Sequence, residues 1–308
     1  MTTACWAADE RAQTLLREMY DATRELDYDG IFVYQRGAQL DTMRLVHMRH
    51  EGAVHERLIS LSGPAREVIR DGSRVTCLFA DNAAALHEKG APLDLLNIGF
   101  TAPIETLLAN YRFSIDGQDR VANRTAHIVG VMPHRDDRYG YRLWVDEATK
   151  LLLKSMILGR GDRVLEQMEF TQIALLDGAR PELLEPEIAG AGFTWLLESN
   201  HDSGDDSGPG VGWEVGWVPH GFELKETHTQ PMATSRMPVG QLVYSDGLAM
   251  VTVFIEQLMV DEAPLQGYSA RGAVNAFSRV ADEFQITVVG ELPLPTVRQI
   301  AASVVRTD

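Results

Sequence analysis

Short strand-like runs separated by glycine-bearing turns are the feature that most constrains how this chain folds. After Asp29-Gly30, β-branched and aromatic residues at Ile31–Tyr34 begin a strand pattern. Strands that follow one another closely are joined as hairpins, because a parallel pair needs a crossover of a dozen or more residues. The pattern predicts an antiparallel meander. Its further runs lie at 41–50, 53–61, 65–71 and 73–80.

The rest of the first half adds helices and more strands. Apolar residues at helical spacing predict a helix over 9–26, and Pro103 followed by Ile104, Leu107 and Leu108 predicts a short one. About seven to nine consecutive antiparallel strands with inserted helices favour a strongly curved sheet or partly closed barrel packed on helices. The apolar stripe of the first helix comprises Ala12, Leu15, Leu16, Met19, Ala22 and Leu26. The later strands are predicted at 120–132, 139–146, 151–158 and 163–176.

A polar segment rich in glycine and aspartate separates this half from a second one. Residues 200–210 contain no apolar side chain, which is typical of a linker. Beyond it, Asp246-Gly247 predicts a type I′ hairpin turn. Further strands are expected at 271–280 and 283–290, with a helix over 295–305. We therefore expect a possible signal-peptide remnant or expression scar at 1–8, a half-barrel domain at 9–180, a linker at 181–212 and a small domain at 213–308.

The charge of the chain excludes one large class of function. Its 28 Lys and Arg against 44 Asp and Glu give a formal net charge of −16. Such an acidic chain is not typical of nucleic-acid binders, which neutralise phosphates with basic surface. No uninterrupted apolar run approaches the ~20 residues that a transmembrane helix needs.

No local motif for catalysis or metal binding stands out. His47 and His50 face opposite sides of a strand, so these residues and His55 do not make a plausible zinc set. Asp136-Asp137 lies in a polar turn and is expected to be solvated. We expect no metal or cofactor, while a Ser-His-Asp triad built from residues distant in sequence stays open at this point. Two features stay open: residues 93–100 form either a lid over an apolar cavity or an ordinary plug, and Trp195, Trp213 and Trp217 form either a binding platform or core.

Several segments in both halves together resemble one known family. They are Ser62-Gly63-Pro64-x-Arg66-Glu67-Val68, Arg142-x-Trp144-Val145-Asp146, Trp213-x-x-x-Trp217-Val218-Pro219-x-Gly221-Phe222, Tyr244-Ser245-Asp246-Gly247-Leu248, and Ile286–Pro293 followed by the helix Thr296–Ala301. In combination they resemble the RseB/MucB family, periplasmic negative regulators of the sigma-E (AlgU-type) envelope-stress response, with the closest likeness to the MucB branch.

The resemblance implies a fold and a function. It implies a mainly β (α+β) protein with an unclosed antiparallel β-barrel like that of LolA and LolB, plus a smaller antiparallel sheet-and-helix domain. It also implies a non-enzymatic periplasmic protein that binds the periplasmic domain of a membrane anti-sigma factor of RseA/MucA type. Such a protein would shield the anti-sigma factor from its initiating protease, and binding of lipid or lipopolysaccharide would release it.

Candidate binding residues follow from the strands and turns. The same residues also fit an ordinary core or a folding role. The candidates for a lipid cavity are Phe32, Tyr34, Leu58, Phe79, Leu96, Ile98, Phe100, Leu107 and Trp144. The candidates for contact with the anti-sigma factor are Trp217, Phe222, Tyr244 and Asp246.

Two other functions compete with this one. A periplasmic lipid or lipoprotein carrier would use the same cavity, but a carrier barrel would not need the second domain. An envelope hydrolase would need a nucleophile beside a base, for which the sequence offers no local motif. A homo-oligomer is possible, since antiparallel edge strands can pair.

Overall fold

The fold consists of two units, each built on a mainly antiparallel sheet. We call the twelve-stranded sheet with its helices the large unit, and the six-stranded sheet with its helix and a two-stranded sheet the small unit. The computed structural model describes the backbone of residues 2–50, 52–72, 74–79, 84–89, 103–178, 180–188, 194–199, 212–230, 237–259 and 263–307, and the side chains of all of these except 2–9, 84–89, 194–199 and 230.

The large unit is one continuous, unclosed sheet. Its strand order is β12-β6-β5-β4-β3-β2-β1-β11-β10-β9-β8-β7, and all neighbours are antiparallel except β12 and β6. The strands are Tyr28–Arg36 (β1), Gln39–His50 (β2), Ala53–Ser60 (β3), Arg66–Asp71 (β4), Arg74–Phe79 (β5), Ala84–Lys89 (β6), Tyr111–Val121 (β7), Arg124–Pro133 (β8), Gly140–Asp146 (β9), Leu152–Leu158 (β10), Val164–Leu175 (β11) and Thr194–Ser199 (β12).

A long helix, Thr2–Glu25 (α1), covers the apolar face of this sheet. The predicted stripe is confirmed, since Ala12, Leu15, Leu16 and Met19 are buried in the main core. A sheet of this kind is stable only if its apolar face is covered. The short helix Ile104–Leu107 (α2), also predicted, adds its own apolar residues to the same core.

The small unit has its own core. Its six-stranded sheet runs in the order β14-β15-β16-β19-β18-β17 and packs on one helix. A two-stranded sheet, β13 with β20, completes it. The elements are Trp213–Val215 (β13), Glu223–Gln230 (β14), Val239–Ser245 (β15), Met250–Gln257 (β16), Gly267–Arg271 (β17), Val274–Ala281 (β18), Phe284–Gly290 (β19), Leu294–Ser303 (α3) and Val304–Arg306 (β20).

This architecture confirms the predicted fold class, a mainly β protein with an unclosed sheet and a smaller sheet-and-helix unit. Several local features differ from expectation. Helix α1 begins at Thr2 and not at residue 9, and β6 lies outside the predicted strands. Strand β7 lies largely outside the predicted strands, and β12 lies inside the range predicted as a linker. The turn after β15 spans four residues, 246–249, rather than two, and Gly247 alone in it has positive φ.

Candidate functional site

A cavity of about 670 Å³ lies against the part of the large sheet that contains β1 to β5. Its wall combines apolar side chains with a similar number of polar and charged ones. The lining residues are Phe32, Tyr34, Arg36, Gln39, Asp41, Met43, Leu58, Ser60, Ser62, Gly63, Pro64, Arg66, Glu67, Val68, Phe79, Met168 and Arg271.

Strand register explains why these residues share one wall. Side chains at every second position of a strand point to the same face, so Phe32, Tyr34 and Arg36 of β1 lie on one side. Phe32 is opposite Met43 on β2, which in turn is opposite Ser60 on β3. The wall is therefore a direct product of the alternating pattern in the meander.

Arginine side chains lie along this wall. Arg66 and Arg271 are exposed, and Arg36 places its guanidinium 5.3 Å from the centre of the Tyr34 ring. The Nε of Arg36 is buried and has no hydrogen-bond partner among the residues that the structure describes. A planar guanidinium pairs well with phosphate or carboxylate oxygens, so this side of the cavity suits an anionic group. Two acidic residues, Asp41 and Glu67, lie on the same wall, and Glu67 is paired with Arg57 at 3.0 Å.

Tyr34 is held by a buried carboxylate behind the wall. Its hydroxyl donates a hydrogen bond to Oε2 of Glu166, which is only 2% exposed. Burial raises the pKa of Tyr34 well above its ordinary value, and the hydrogen bond and negative charge of Glu166 add to the shift. Tyr34 is therefore a neutral donor at physiological pH.

The structure places the nine cavity candidates in three groups. Phe32, Tyr34, Leu58 and Phe79 line the cavity. Leu96, Ile98 and Phe100, and with them the lid-or-plug segment, lie outside the described residues. The third group, Leu107 and Trp144, lies away from the cavity.

The positions of these last two have clear physical reasons. Leu107 is fully buried in the core that α1 forms with β7, so it faces protein and not the cavity. Trp144 packs with Val121, Ala126 and Leu153 in a separate cluster, and its indole donates to Asp119 at 3.0 Å. Nearly every residue of β9 is buried, so both faces of this strand are covered by protein.

A second cluster of polar side chains joins the two units, and we call Tyr111, Arg138 and Asp246 the anchor cluster. The Tyr111 hydroxyl donates to Oδ2 of Asp246 at 2.9 Å, and Arg138 donates to the same oxygen. Oδ1 of Asp246 accepts from the backbone N–H groups of Leu248 and Ala249 at 3.0 and 2.8 Å. Arg138 also donates to the carbonyl of His220 at 2.7 Å.

The anchor cluster changes the interpretation of two sequence features. Both carboxylate oxygens of Asp246 accept hydrogen bonds from within the chain. The two bonds from Leu248 and Ala249 hold the four-residue turn, so the backbone pattern of a two-residue type I′ turn is not needed. The turn that was expected to be solvated is only partly so. Asp136 is exposed, but Arg138, two residues later, is only 4% exposed because its guanidinium lies in the junction between the two units.

The four candidates for partner contact occupy different environments. Trp217 and Tyr244 are part-buried at the edge of the small core, where burial raises the pKa of Tyr244. Phe222 is buried under the guanidinium of Arg138, with 5.2 Å from the Arg138 Cζ to its ring centre. Of the four, Trp217 and Tyr244 keep the larger accessible surface. Their role in partner binding stays a prediction.

The helices that the structure describes include none with the length and apolar character of a membrane span.

Comparison with known proteins now identifies the family. The MucB/RseB N-terminal domain model matches residues 11–188, and the MucB/RseB C-terminal domain model matches residues 208–305. The chain belongs to the MucB/RseB family. This confirms the resemblance seen in the sequence motifs, and it confirms a regulatory role rather than an enzymatic one.

Relatives in this family match almost end to end. The sigma factor AlgU regulatory protein MucB of Pseudomonas aeruginosa is 33% identical over 306 residues, which cover 98% of this chain and 92% of that protein. The solved Pseudomonas aeruginosa MucA/MucB complex matches with a TM-score of 0.76 and 31% identity, over 97% of this chain and 99% of the other. A crystal structure of MucB in complex with MucA(peri) matches with a TM-score of 0.74 and 30% identity, over 96% and 99%.

Proposed function

We propose that this protein binds the periplasmic domain of an anti-sigma factor of RseA/MucA type, shields it from regulated proteolysis, and releases it when lipid or lipopolysaccharide occupies the cavity. The observation that carries the proposal is the match to MucB as found in a complex with MucA, which extends over both units. Because a solved MucB structure holds MucA(peri), the periplasmic part of MucA, we also propose a periplasmic location for this protein.

The cavity supports the lipid part of this proposal. Its volume of about 670 Å³ lies within the roughly 300–1,000 Å³ typical of ligand pockets. Phe32, Met43, Leu58 and Met168 offer an apolar wall for an acyl chain, while the exposed guanidinium groups of Arg66 and Arg271 offer donors to a phosphate oxygen.

Release of the anti-sigma domain then requires only that lipid and this domain differ in their affinity for two arrangements of the units. If lipid favours one arrangement of the two units and the anti-sigma domain favours another, each ligand weakens the other by linkage. We propose a half-barrel domain at 9–180 and a small domain at 213–308 as the two bodies that rearrange. Residues 181–212 would connect them, although β12 within that range pairs with β6 of the large sheet.

Protection from proteolysis is the direct test. The anti-sigma periplasmic fragment is incubated with its initiating protease, with and without this protein, and with and without lipopolysaccharide. We expect the protein to slow cleavage and lipopolysaccharide to restore it. Cleavage that the protein does not slow would refute the proposal.

The competing carrier function has one observation in its favour, the apolar cavity itself. A carrier would co-purify with stoichiometric lipid and pass it to an acceptor, and it would have no affinity for the anti-sigma fragment. Lipid transfer without protection in the same assay would support the carrier.

A further inference from the structure

One hairpin of the small unit reaches the wall of the cavity in the large unit. Strands β17 and β18 pair with Arg271 opposite Val274, so Gly272 and Ala273 form a two-residue turn. Ala273 is fully buried and belongs to the core of the large unit, although it comes from the small one. We call Arg271, Gly272 and Ala273 the hairpin tip.

The hairpin tip sits against Glu166 and Arg36 without room for a side chain at Gly272. A Cβ there would lie 2.1 Å from Oε1 of Glu166 and 2.5 Å from Cγ of Arg36, and φ is +62°. The backbone N–H of Ala273 donates to Oε1 of Glu166 at 2.8 Å. Glycine is required at this turn both for its conformation and for the close approach.

The groups that hold the hairpin tip also face the cavity. The other oxygen of Glu166 accepts from the Tyr34 hydroxyl, and the guanidinium of Arg271 donates to Oε1 of Gln39 at 2.7 Å. Tyr34, Arg36, Gln39 and Arg271 all line the cavity. An anionic head group in the cavity would accept hydrogen bonds from the same donors, the Tyr34 hydroxyl and the Arg271 guanidinium.

We propose that the hairpin tip is a latch that an anionic amphiphile displaces when it enters the cavity. The latch rests on the proposed ligand class of the cavity, and it adds the contact through which a ligand in the cavity changes the position of the small unit. When the head group takes the Tyr34 and Arg271 donors, Glu166 loses one of its partners and Arg271 leaves Gln39. The bound anion also lies beside the Glu166 carboxylate, and repulsion between the two negative charges moves this carboxylate away from the Ala273 N–H. The tip then loses both hydrogen bonds, and ligand binding opposes the docked position of the tip by linkage.

Hydrogen exchange at the hairpin tip tests this directly. Amide exchange of residues 271–275 is measured by mass spectrometry with no ligand, with submicellar dodecyl phosphate, with dodecanol and with inorganic phosphate. We expect saturating dodecyl phosphate to accelerate exchange at the tip by about tenfold or more, because the Ala273 N–H loses its acceptor. Neither inorganic phosphate nor dodecanol should do so.

A matched pair of glycine variants sharpens the test. Gly272→Ala should open the tip without ligand and tighten dodecyl phosphate binding by about fivefold or more, since the cost of opening is removed in advance. Gly52→Ala is the control, because Gly52 also has positive φ (+80°) but a Cβ there meets nothing within 4 Å. The wild-type exchange measurement stands even if Gly272→Ala fails to fold.

The outcomes separate the latch from the function on which it rests. Binding of dodecyl phosphate with unchanged or slower exchange at the tip overturns the latch and leaves the cavity ligand in place. No binding of dodecyl phosphate to the wild type overturns both. Acceleration by inorganic phosphate or dodecanol equal to that by dodecyl phosphate overturns the assignment to an anionic amphiphile.

Discussion

Two of the contacts between the units, the anchor cluster and the hairpin tip, differ in what lies behind them. The anchor cluster rests on a densely packed part of the large unit, where Tyr111 and Leu107 are fully buried against α1. The hairpin tip rests on the cavity wall, where Tyr34 and Arg36 remain partly accessible. One contact is supported by a filled interior, and the other adjoins an opening that a ligand can enter.

This difference suggests how one sheet can hold its partner unit and still respond to a ligand. The contact between Arg138 and Asp246 is costly to break, because both side chains are buried and Arg138 would keep only its ion pair with Asp137 at 2.8 Å. The contacts of the tip are few and use donors that a ligand can engage. We therefore expect the small unit to pivot at the anchor cluster while the tip opens.

Removing the Asp246 carboxylate should give the largest change. Asp246→Ala leaves the 4%-exposed Arg138 short of a carboxylate, so we expect the free energy of unfolding to fall by about 3–5 kcal/mol. Arg271→Ala, which removes an exposed side chain of the hairpin tip, should change it by only about 0.5 kcal/mol. Urea unfolding of both variants checks this, and equal losses would remove the distinction between the two contacts.

Leucine truncation compares what lies behind each contact. Leu107→Ala should lower the free energy of unfolding by about 2–5 kcal/mol, because it creates a new hole in a filled core. Leu58→Ala, on the cavity wall, should cost at least about 1 kcal/mol less, since part of its side chain already faces empty space. Urea unfolding again measures both, and a larger loss at Leu58 would contradict a filled interior behind the anchor cluster.

Filling the cavity with a larger side chain should weaken ligand binding. Met43→Trp places an indole into the cavity and should weaken dodecyl phosphate binding by about tenfold, or 1.4 kcal/mol. Leu40→Trp on the same strand is the control, because Leu40 is 61% exposed and does not line the cavity. Calorimetric titration measures both affinities. Equal affinity in the two variants would place the ligand elsewhere.

Alkaline pH should weaken both contacts through their tyrosines. Burial raises the pKa of both Tyr34 and Tyr111 above the ordinary tyrosine value. The neutral hydroxyls therefore contribute their full stabilisation of the folded state below pH ~10, and this contribution is lost as the pH rises further. Tyr34→Phe and Tyr111→Phe should each reduce the pH slope of the unfolding free energy above pH 10, by up to about 1.4 kcal/mol per pH unit. Unchanged slopes in urea unfolding series from pH 9 to 11 would contradict this.

Local patterns predicted the elements whose partners are neighbours in sequence. The stripe of α1 and the meander from β1 to β5 follow from spacing alone. Strand β7 was missed because Asp116 to Arg120 interrupt its apolar alternation and Gly117, at φ +133°, marks an irregular register. Strand β12 was missed because its partner β6 lies about a hundred residues earlier, a pairing that no local signal encodes.

The same limit applies to the site. Alternation placed Phe32, Tyr34 and Leu58 on one wall, but both faces of β9 are buried, so no periodicity could assign Trp144 to a side. The contact of Gly272 with Arg36 and Glu166 joins residues far apart in sequence, and only the folded structure reveals it. The signal available for it was a lone glycine beside an arginine at the end of a strand.

The most direct test of the account is the affinity for the anti-sigma periplasmic domain measured with and without dodecyl phosphate. Fluorescence anisotropy of the labelled domain gives its Kd at rising concentrations of the amphiphile. We predict that Kd increases to a plateau, and that the anti-sigma domain weakens dodecyl phosphate binding by the same factor, as linkage demands. A Kd that stays constant while dodecyl phosphate saturates the cavity would contradict the account.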